Sequence, residues 1–288
     1  MESGFETITI DELPRYNHWV AKILGLEPIH TSLEKTPESI VREYGQDKWG
    51  EILSLLKNDL SLTMNEVDKR QYVSTQNTVA YIDEKFYLGS LKKIQEAYFE
   101  FIEKQLQDSI SSVSQIIELG AGYGWPLLKL AKLPQYSHCQ FIGAEYTSSG
   151  IECIDILAQR EQINLQVGYC DLNQLSLNQY KIVDNPLIFT SGAMICLKGF
   201  SKTTLDELIR IRPRIVIHFE PIYEYCNDNS LHSLLCKRYI QLNDYNQNML
   251  TTLKEYEKQG YIKIVQESRN LFGSNPLMPF SVVKWVVA

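Results

Sequence analysis

The feature that most constrains this chain is a short apolar run that ends in an acid and passes into spaced glycines, Ile116-Ile117-Glu118-Leu119-Gly120-Ala121-Gly122-Tyr123-Gly124. Consecutive β-branched residues favour a buried strand. Glycine just after it permits left-handed backbone and lets the main chain approach a ligand with no Cβ between them. Pro126 then stands at the start of a helix, where a missing N–H is harmless. A strand, a glycine turn and a helix in this order form the opening step of an α/β sheet whose ligands lie beyond the carboxyl ends of its strands. The helix start offers amides to a carboxylate, and Glu118 is placed to receive a cationic amine. An amino-acid moiety attached to a nucleoside suits both. A tight turn without a ligand would use the same glycines. A dinucleotide fits less well, because its third glycine belongs where this chain has Trp125.

Texture changes along the chain. Up to about Ser112 the spacing of apolar residues is helical. Thr36-Pro37-Glu38-Ser39 reads as an N-cap with proline at the first helical position, opening a segment through Leu56. From about Asp83 to Leu106, residues Tyr87, Leu91, Ile94, Tyr98, Ile102 and Leu106 recur every three or four positions and predict one helical face. Beyond that point short apolar runs alternate with helical stretches, as in a parallel sheet with crossover helices. The strands expected are Ser114–Leu119, Gln140–Glu145, Leu165–Tyr169, Leu187–Thr190 and Ile215–Phe219, with helices near Pro126–Leu133, Ser149–Glu161, Ser201–Arg210 and Ser230–Gln259. Tyr261–Glu267 and Phe280–Val287 read as a closing hairpin across a loop rich in Asn, Gly, Ser and Pro.

Three further strand ends carry candidate ligand contacts. Glu145, with Tyr146 beside it, closes the second parallel strand, where a carboxylate can accept from both hydroxyls of a ribose. Asp171 closes the third and could accept from an adenine amino group, with Leu172 giving apolar and backbone contact. At the end of the fourth, Thr190-Ser191-Gly192-Ala193-Met194 would wall the ligand, with Met194 equally suited to the core.

This run of features resembles the class I S-adenosylmethionine-dependent methyltransferases, over roughly Ser112 to Ala288. The resemblance implies an α/β, seven-stranded, mostly parallel, doubly wound sheet with an antiparallel C-terminal strand, here preceded by an N-terminal helical region. It divides the chain at 1–111 and 112–288. It implies S-adenosylmethionine as cofactor, with Gly120 and Gly122 along the methionine portion, Glu145 at the ribose, and Asp171 with Leu172 at the adenine; Glu118, Ala121, Tyr146 and Thr190 are further candidate cofactor contacts. The expected activity is methyl transfer to an oxygen or nitrogen of a small molecule or peptide, as in secondary metabolism and natural product biosynthesis. A protein-directed methyltransferase, aminopropyl transfer and a non-catalytic scaffold on the same fold stay open. Glu118, placed to receive the cofactor's amino-acid end, leans away from aminopropyl transfer.

The acceptor side is read from residues after the fifth strand. His218 and Glu220 alternate onto one side of the strand, and either could take a proton from a hydroxyl or protonated amine. Each also has a structural reading, as a sheet-bound imidazole and a turn cap. Nucleic-acid amino methylation disagrees with Ser191-Gly192-Ala193, which stands where that activity carries an Asn/Asp-Pro-Pro-aromatic motif. Tyr87, Tyr123, Met194 and Tyr223 are candidates to line the acceptor pocket. The N-terminal helices read as a lid or a dimerisation element, which leaves a homodimer open.

Bulk properties agree. A formal net charge of −7 lacks the basic excess that binding a nucleic-acid backbone needs. Six cysteines without a C-x-x-C pair read as free thiols in a reducing compartment, and no metal site is evident. Met1 to Arg15 carries acids and no apolar run, so no secretory signal or membrane span is expected, and the cytoplasm is the expected location.

Overall fold

A computed structural model describes residues 5–29, 34–71, 77–110 and 112–288. In chain order the elements are β1 (Glu6–Ile8), α1 (Trp19–Ile23), α2 (Pro37–Ile40), a π-helical segment (Val41–Lys48), α3 (Trp49–Asn58), α4 (Met64–Gln71), β2 (Asn77–Ile82), β3 (Lys85–Ser90) and α5 (Leu91–Ile110). Then come β4 (Gln115–Leu119), α6 (Trp125–Ala131), β5 (Gln140–Glu145), α7 (Ser148–Glu161), β6 (Leu165–Tyr169), β7 (Leu187–Ser191), α8 (Lys202–Ile211) and β8 (Ile215–Pro221). Last are α9 (Leu231–Leu242), α10 (Met249–Lys258), β9 (Ile262–Gly273) and β10 (Phe280–Val287).

All the strands join one sheet, ordered β1-β3-β2-β9-β10-β8-β7-β4-β5-β6. β6, β5, β4, β7 and β8 run parallel, and β10 lies antiparallel between β8 and β9. The seven strands from β4 onward match the expected architecture, with the antiparallel strand inserted one place in from β9. The sheet nevertheless has ten strands rather than seven, because β2, β3 and β1 continue it past β9. The join is narrow: β2 meets β9 through Tyr81 opposite Gly273 and Ile82 opposite Phe272.

Those three strands correct the expectation of a purely helical N-terminal region. Residues from Asp83 predicted one helix, yet Tyr87 belongs to β3 and the helix begins only at Leu91. The turn between β2 and β3 holds Asp83 and Glu84 at φ 45° and 65°. Two consecutive left-handed residues are what a tight two-residue hairpin requires, but Asp-Glu lacks the Asn-Gly or Asp-Gly signature of such turns. The single helix expected over Ser230–Gln259 is two helices, broken at Asn243–Asn248 where Asp244 sits at φ 53°. The division expected between 111 and 112 falls at a residue outside the described ones.

Alternation along the central strands splits the core between the two sheet faces. Ile117 and Leu119 pack with Leu205, Leu208, Leu250 and Leu253 of α8 and α10. Ile116 faces the other way, toward Ile102, Leu106, Leu127 and Leu130 of α5 and α6. The sheet is therefore covered on both faces, as a parallel sheet must be. α3 and α4 extend the second layer by packing Ile52, Leu56 and Val67 against Leu128 and Leu157. Arg160 on α7 fastens them: its guanidinium donates to the carbonyls of Leu56, Asp59 and Leu62 at 2.7–3.1 Å, satisfying the end of α3.

The chain leaves β4 toward β5 and later returns on the other side to β7. That reversal opens a crevice at the carboxyl ends of β4 and β7.

Candidate active site

A cavity of about 500 Å³ occupies this crevice. One wall comes from the strand ends: Gly120 and Gly122 after β4, Glu145 and Tyr146 at β5, Asp171 and Leu172 after β6. The opposite wall is the N-terminal segment, with Lys35, Pro37, Ile40, Tyr44 and Trp49 facing inward. Ser191, Gly192, Ala193 and Cys196 close the third side.

The glycine turn is built against close neighbours. Gly120 stands at φ +74°, and a Cβ there would lie 2.3 Å from Cβ of Ala193. Its N–H and that of Ala121 both donate to the Ala144 carbonyl, at 2.7 and 3.1 Å, which pins the turn to the end of β5. Over Gly122 (φ +57°) the indole of Trp49 comes within 2.9 Å of a would-be Cβ. The N-terminal wall thus rests directly on the turn.

Glu145 braces the same corner. One carboxylate oxygen accepts from the Gly122 N–H at 2.9 Å, the other from the Thr147 amide and hydroxyl at 2.9 and 2.7 Å. Burial raises its pKa above the ordinary carboxylate range, and these donors oppose the rise. Glu118 is deeper and does not line the cavity. Burial drives its pKa well up, the Leu127 N–H acts against this, and the nearby Glu145 adds to it. Oε2 of Glu118 is buried without a hydrogen-bond partner. An unpaired carboxylate oxygen beneath a glycine turn is a vacant acceptor of the kind an ammonium group satisfies.

At the rim, Asp171 lines the cavity and accepts from the Asn173 N–H at 2.8 Å. Tyr146 packs beside Tyr169 at a centroid distance of 5.7 Å.

His218 and Glu220 are elsewhere. Both are completely buried and neither reaches the cavity. Trp285 donates its indole N–H to Nε2 of His218 at 3.0 Å, so the ring proton sits on Nδ1, 3.0 Å from the Thr190 hydroxyl. Burial pushes the imidazole pKa down to about 3. The Thr190 hydroxyl turns in its own turn to Glu220. Glu220 also accepts from the N–H groups of Ala193, Met194 and Ile195 at 3.0, 3.0 and 3.2 Å. Burial raises its pKa to about 7 against the pull of those donors. The physical role visible here is to hold the wall at 192–196, not to meet a ligand.

The remaining candidates also fall outside the cavity lining. Thr190 is a member of that buried chain. Ala121 contributes backbone to the turn. Tyr123 packs under Trp49 at 5.2 Å, Met194 is core, Tyr223 accepts from Gln241 at 2.9 Å, and Tyr87 lies on the β2–β3 hairpin beside Phe5. Sequence reasoning missed Lys35, Tyr44, Trp49 and Cys196. Only the Thr36-Pro37 helix start marked the segment of the first three, and nothing local says where that helix docks. It docks through Ser149, which donates to the Gly45 carbonyl at 2.6 Å, and through Cys153, whose thiol meets the Trp49 carbonyl at 3.6 Å.

Among the described residues no group of His, Cys, Asp and Glu is arranged to hold a metal ion, and no helix is long and apolar enough to cross a membrane.

No protein-family model matches the chain, and no curated protein sequence does. Among solved structures it is similar to a SAM-dependent methyltransferase from Aquifex aeolicus, at 13% identity over 64% of this chain and 89% of that one, with a TM-score of 0.43. It is similar to the CurJ carbon methyltransferase at 14% identity, 96% and 66% coverage and a TM-score of 0.48. A geranyl diphosphate methyltransferase solved with GPP and sinefungin aligns at 11% identity, 69% and 80% coverage and a TM-score of 0.46. In its α/β sheet, its inserted antiparallel β10 and its glycine turn at the point of strand reversal, the chain resembles the class I S-adenosylmethionine-dependent methyltransferases.

Proposed function

We propose that the protein is an S-adenosylmethionine-dependent methyltransferase acting on an oxygen or nitrogen of a small molecule or peptide. The observation that carries this is the cavity itself. Its strand-end wall sets the glycine turn, an acid at the end of β5 and an acid after β6 in sequence around one space. Gly120 and Gly122 would line the methionine portion. Glu145 would take the ribose hydroxyls, exchanging its bonds to Gly122 and Thr147 for them. Leu172 and Asp171 would hold the adenine. The bound cofactor supplies a methyl group on a positively charged sulfur.

The chain's own contribution is alignment and exclusion of water. Residues 35–49 cover the strand ends as a lid, and the buried Thr190–Glu220 chain fixes the wall at 192–196 against which an acceptor would rest. The first test is equilibrium titration of the intact protein with S-adenosylmethionine, with micromolar-range saturation expected. No binding sinks the reading.

A further inference from the structure

The N-terminal wall of the cavity contributes a buried cation. Lys35 lines the cavity and is only 8% exposed. Its ammonium has three donors. One goes to Glu43, and among the described residues no other side chain or carbonyl accepts from it. The ammonium lies 5.1 Å from the Tyr245 ring centroid and 6.0 Å from that of Tyr44, a setting that favours a cation but accepts no strong hydrogen bond. Glu43 does not neutralise it alone, because the same carboxylate also binds Lys48 at 2.9 Å. Lys35, Glu43 and Lys48 therefore form a cluster with one excess positive charge, set beside Lys198, Glu34 and Asp244, which carry one excess negative charge.

The other charged groups facing this end are already engaged. Lys198 at the rim pairs with Glu34 and Asp244 at 2.8 and 3.5 Å, and Asp244 also accepts from the Lys35 backbone N–H. Beside the ammonium, the Tyr44 hydroxyl and the Cys196 thiol bond each other at 3.2 Å. Ile40, Pro37 and Leu197 complete an apolar surround. A buried ammonium with unfilled donors in apolar walls is costly unless an anion completes it.

We infer that the acceptor is a small, largely apolar molecule bearing an anionic oxygen, a phenolate, enolate or carboxylate, received by Lys35. This rests on the methyltransferase reading and narrows it to oxygen. An oxygen that arrives anionic forms the new O–C bond as the C–S bond breaks, and the electron pair leaves with sulfur. No proton has to be removed at that step.

The test uses protein saturated with S-adenosylhomocysteine and two probes of nearly equal shape, 4-nitrophenolate and the neutral 4-nitroanisole, read by equilibrium dialysis at a pH where the phenol is ionised. The phenolate is expected to bind at least about tenfold more tightly, the scale of a charge-assisted hydrogen bond. Lys35→Met should abolish that preference while S-adenosylhomocysteine still binds, and Lys35→Arg should keep it. Equal binding of the two probes by the wild type, binding of neither, or a preference that survives Lys35→Met overturns the inference and leaves the cofactor reading standing. Failure of S-adenosylhomocysteine to bind the wild type removes that reading and this inference with it.

Discussion

The indole of Trp285 on β10 and the imidazole of His218 on β8 are joined by a 3.0 Å hydrogen bond that fixes which ring nitrogen carries the proton. A general base needs a lone pair directed at its substrate, and this one is spent on an indole. His218→Ala should therefore destabilise the fold by roughly 2 kcal/mol or more, through lost packing and an orphaned indole N–H, while affinity for S-adenosylmethionine stays close to wild type. Denaturant unfolding and ligand titration of the same variant read the two effects separately.

The same burial makes stability depend on pH in a defined direction. The folded-state pKa of His218 is lowered to about 3, so between that value and its ordinary 6.5 the unfolded chain binds the proton and the folded chain does not. The His218 contribution is complete above pH 6.5 and is lost as pH falls toward 3. The stability difference between wild type and His218→Ala should shrink with falling pH, by at most about 1.4 kcal/mol per unit. A difference that is flat across the window would show that the imidazole is accessible to protons.

Gly120 offers a test of the turn. Alanine there meets Ala193 at 2.3 Å and must also accept a φ of +74°. Gly120→Ala should cost about 1–3 kcal/mol and impair cofactor binding. Adding Ala193→Gly should recover the steric part alone. Full recovery in the double variant would mean that the left-handed backbone carries no strain.

Glu145→Ala removes the acceptor for the Gly122 amide and the Thr147 hydroxyl. S-adenosylmethionine affinity should weaken by about 1–3 kcal/mol, measurable by calorimetric titration. Undiminished affinity would reduce Glu145 to a brace for the loop.

Ser149→Ala breaks the 2.6 Å bond to the Gly45 carbonyl and so loosens the N-terminal wall where it meets α7. A loss of about 0.5–1.5 kcal/mol is expected, felt locally. Hydrogen exchange should quicken over residues 41–49 and stay unchanged in β4 and β5.

What could be read from the residues follows the range of the interactions involved. β5 and β6 have the bounds expected, and β4 differs by one residue, because short, mostly apolar runs followed by acids and glycines are local signals. Gly120, Gly122, Glu145, Asp171 and Leu172 reach the cavity for the same reason: strand ends in a parallel sheet share one edge. The β2–β3 hairpin was hidden by Asp83-Glu84, whose left-handed pair is imposed by the surrounding sheet. His218 and Glu220 looked catalytic because alternation gives a side of the strand but not what covers it. Trp285, 67 residues later, covers His218, and the amides of 193–195 cover Glu220. Lys35 carried no local pattern at all, and its place depends on a docking surface on α7.

The insertion of β10 between β8 and β9 has a consequence for how the chain is made. Synthesis proceeds from one end, so β8 and β9 both emerge before the strand that separates them. Until β10 arrives, β8 presents an open edge, and the β2–β9 portion has no hydrogen-bonded link to the nucleotide-side strands. A nascent chain in that state has two unjoined half-sheets with exposed borders, the condition in which chains pair with the wrong neighbour. Ribosome-bound fragments ending before Phe280 should accordingly recruit holdase chaperones, and fragments extended past Val287 should release them.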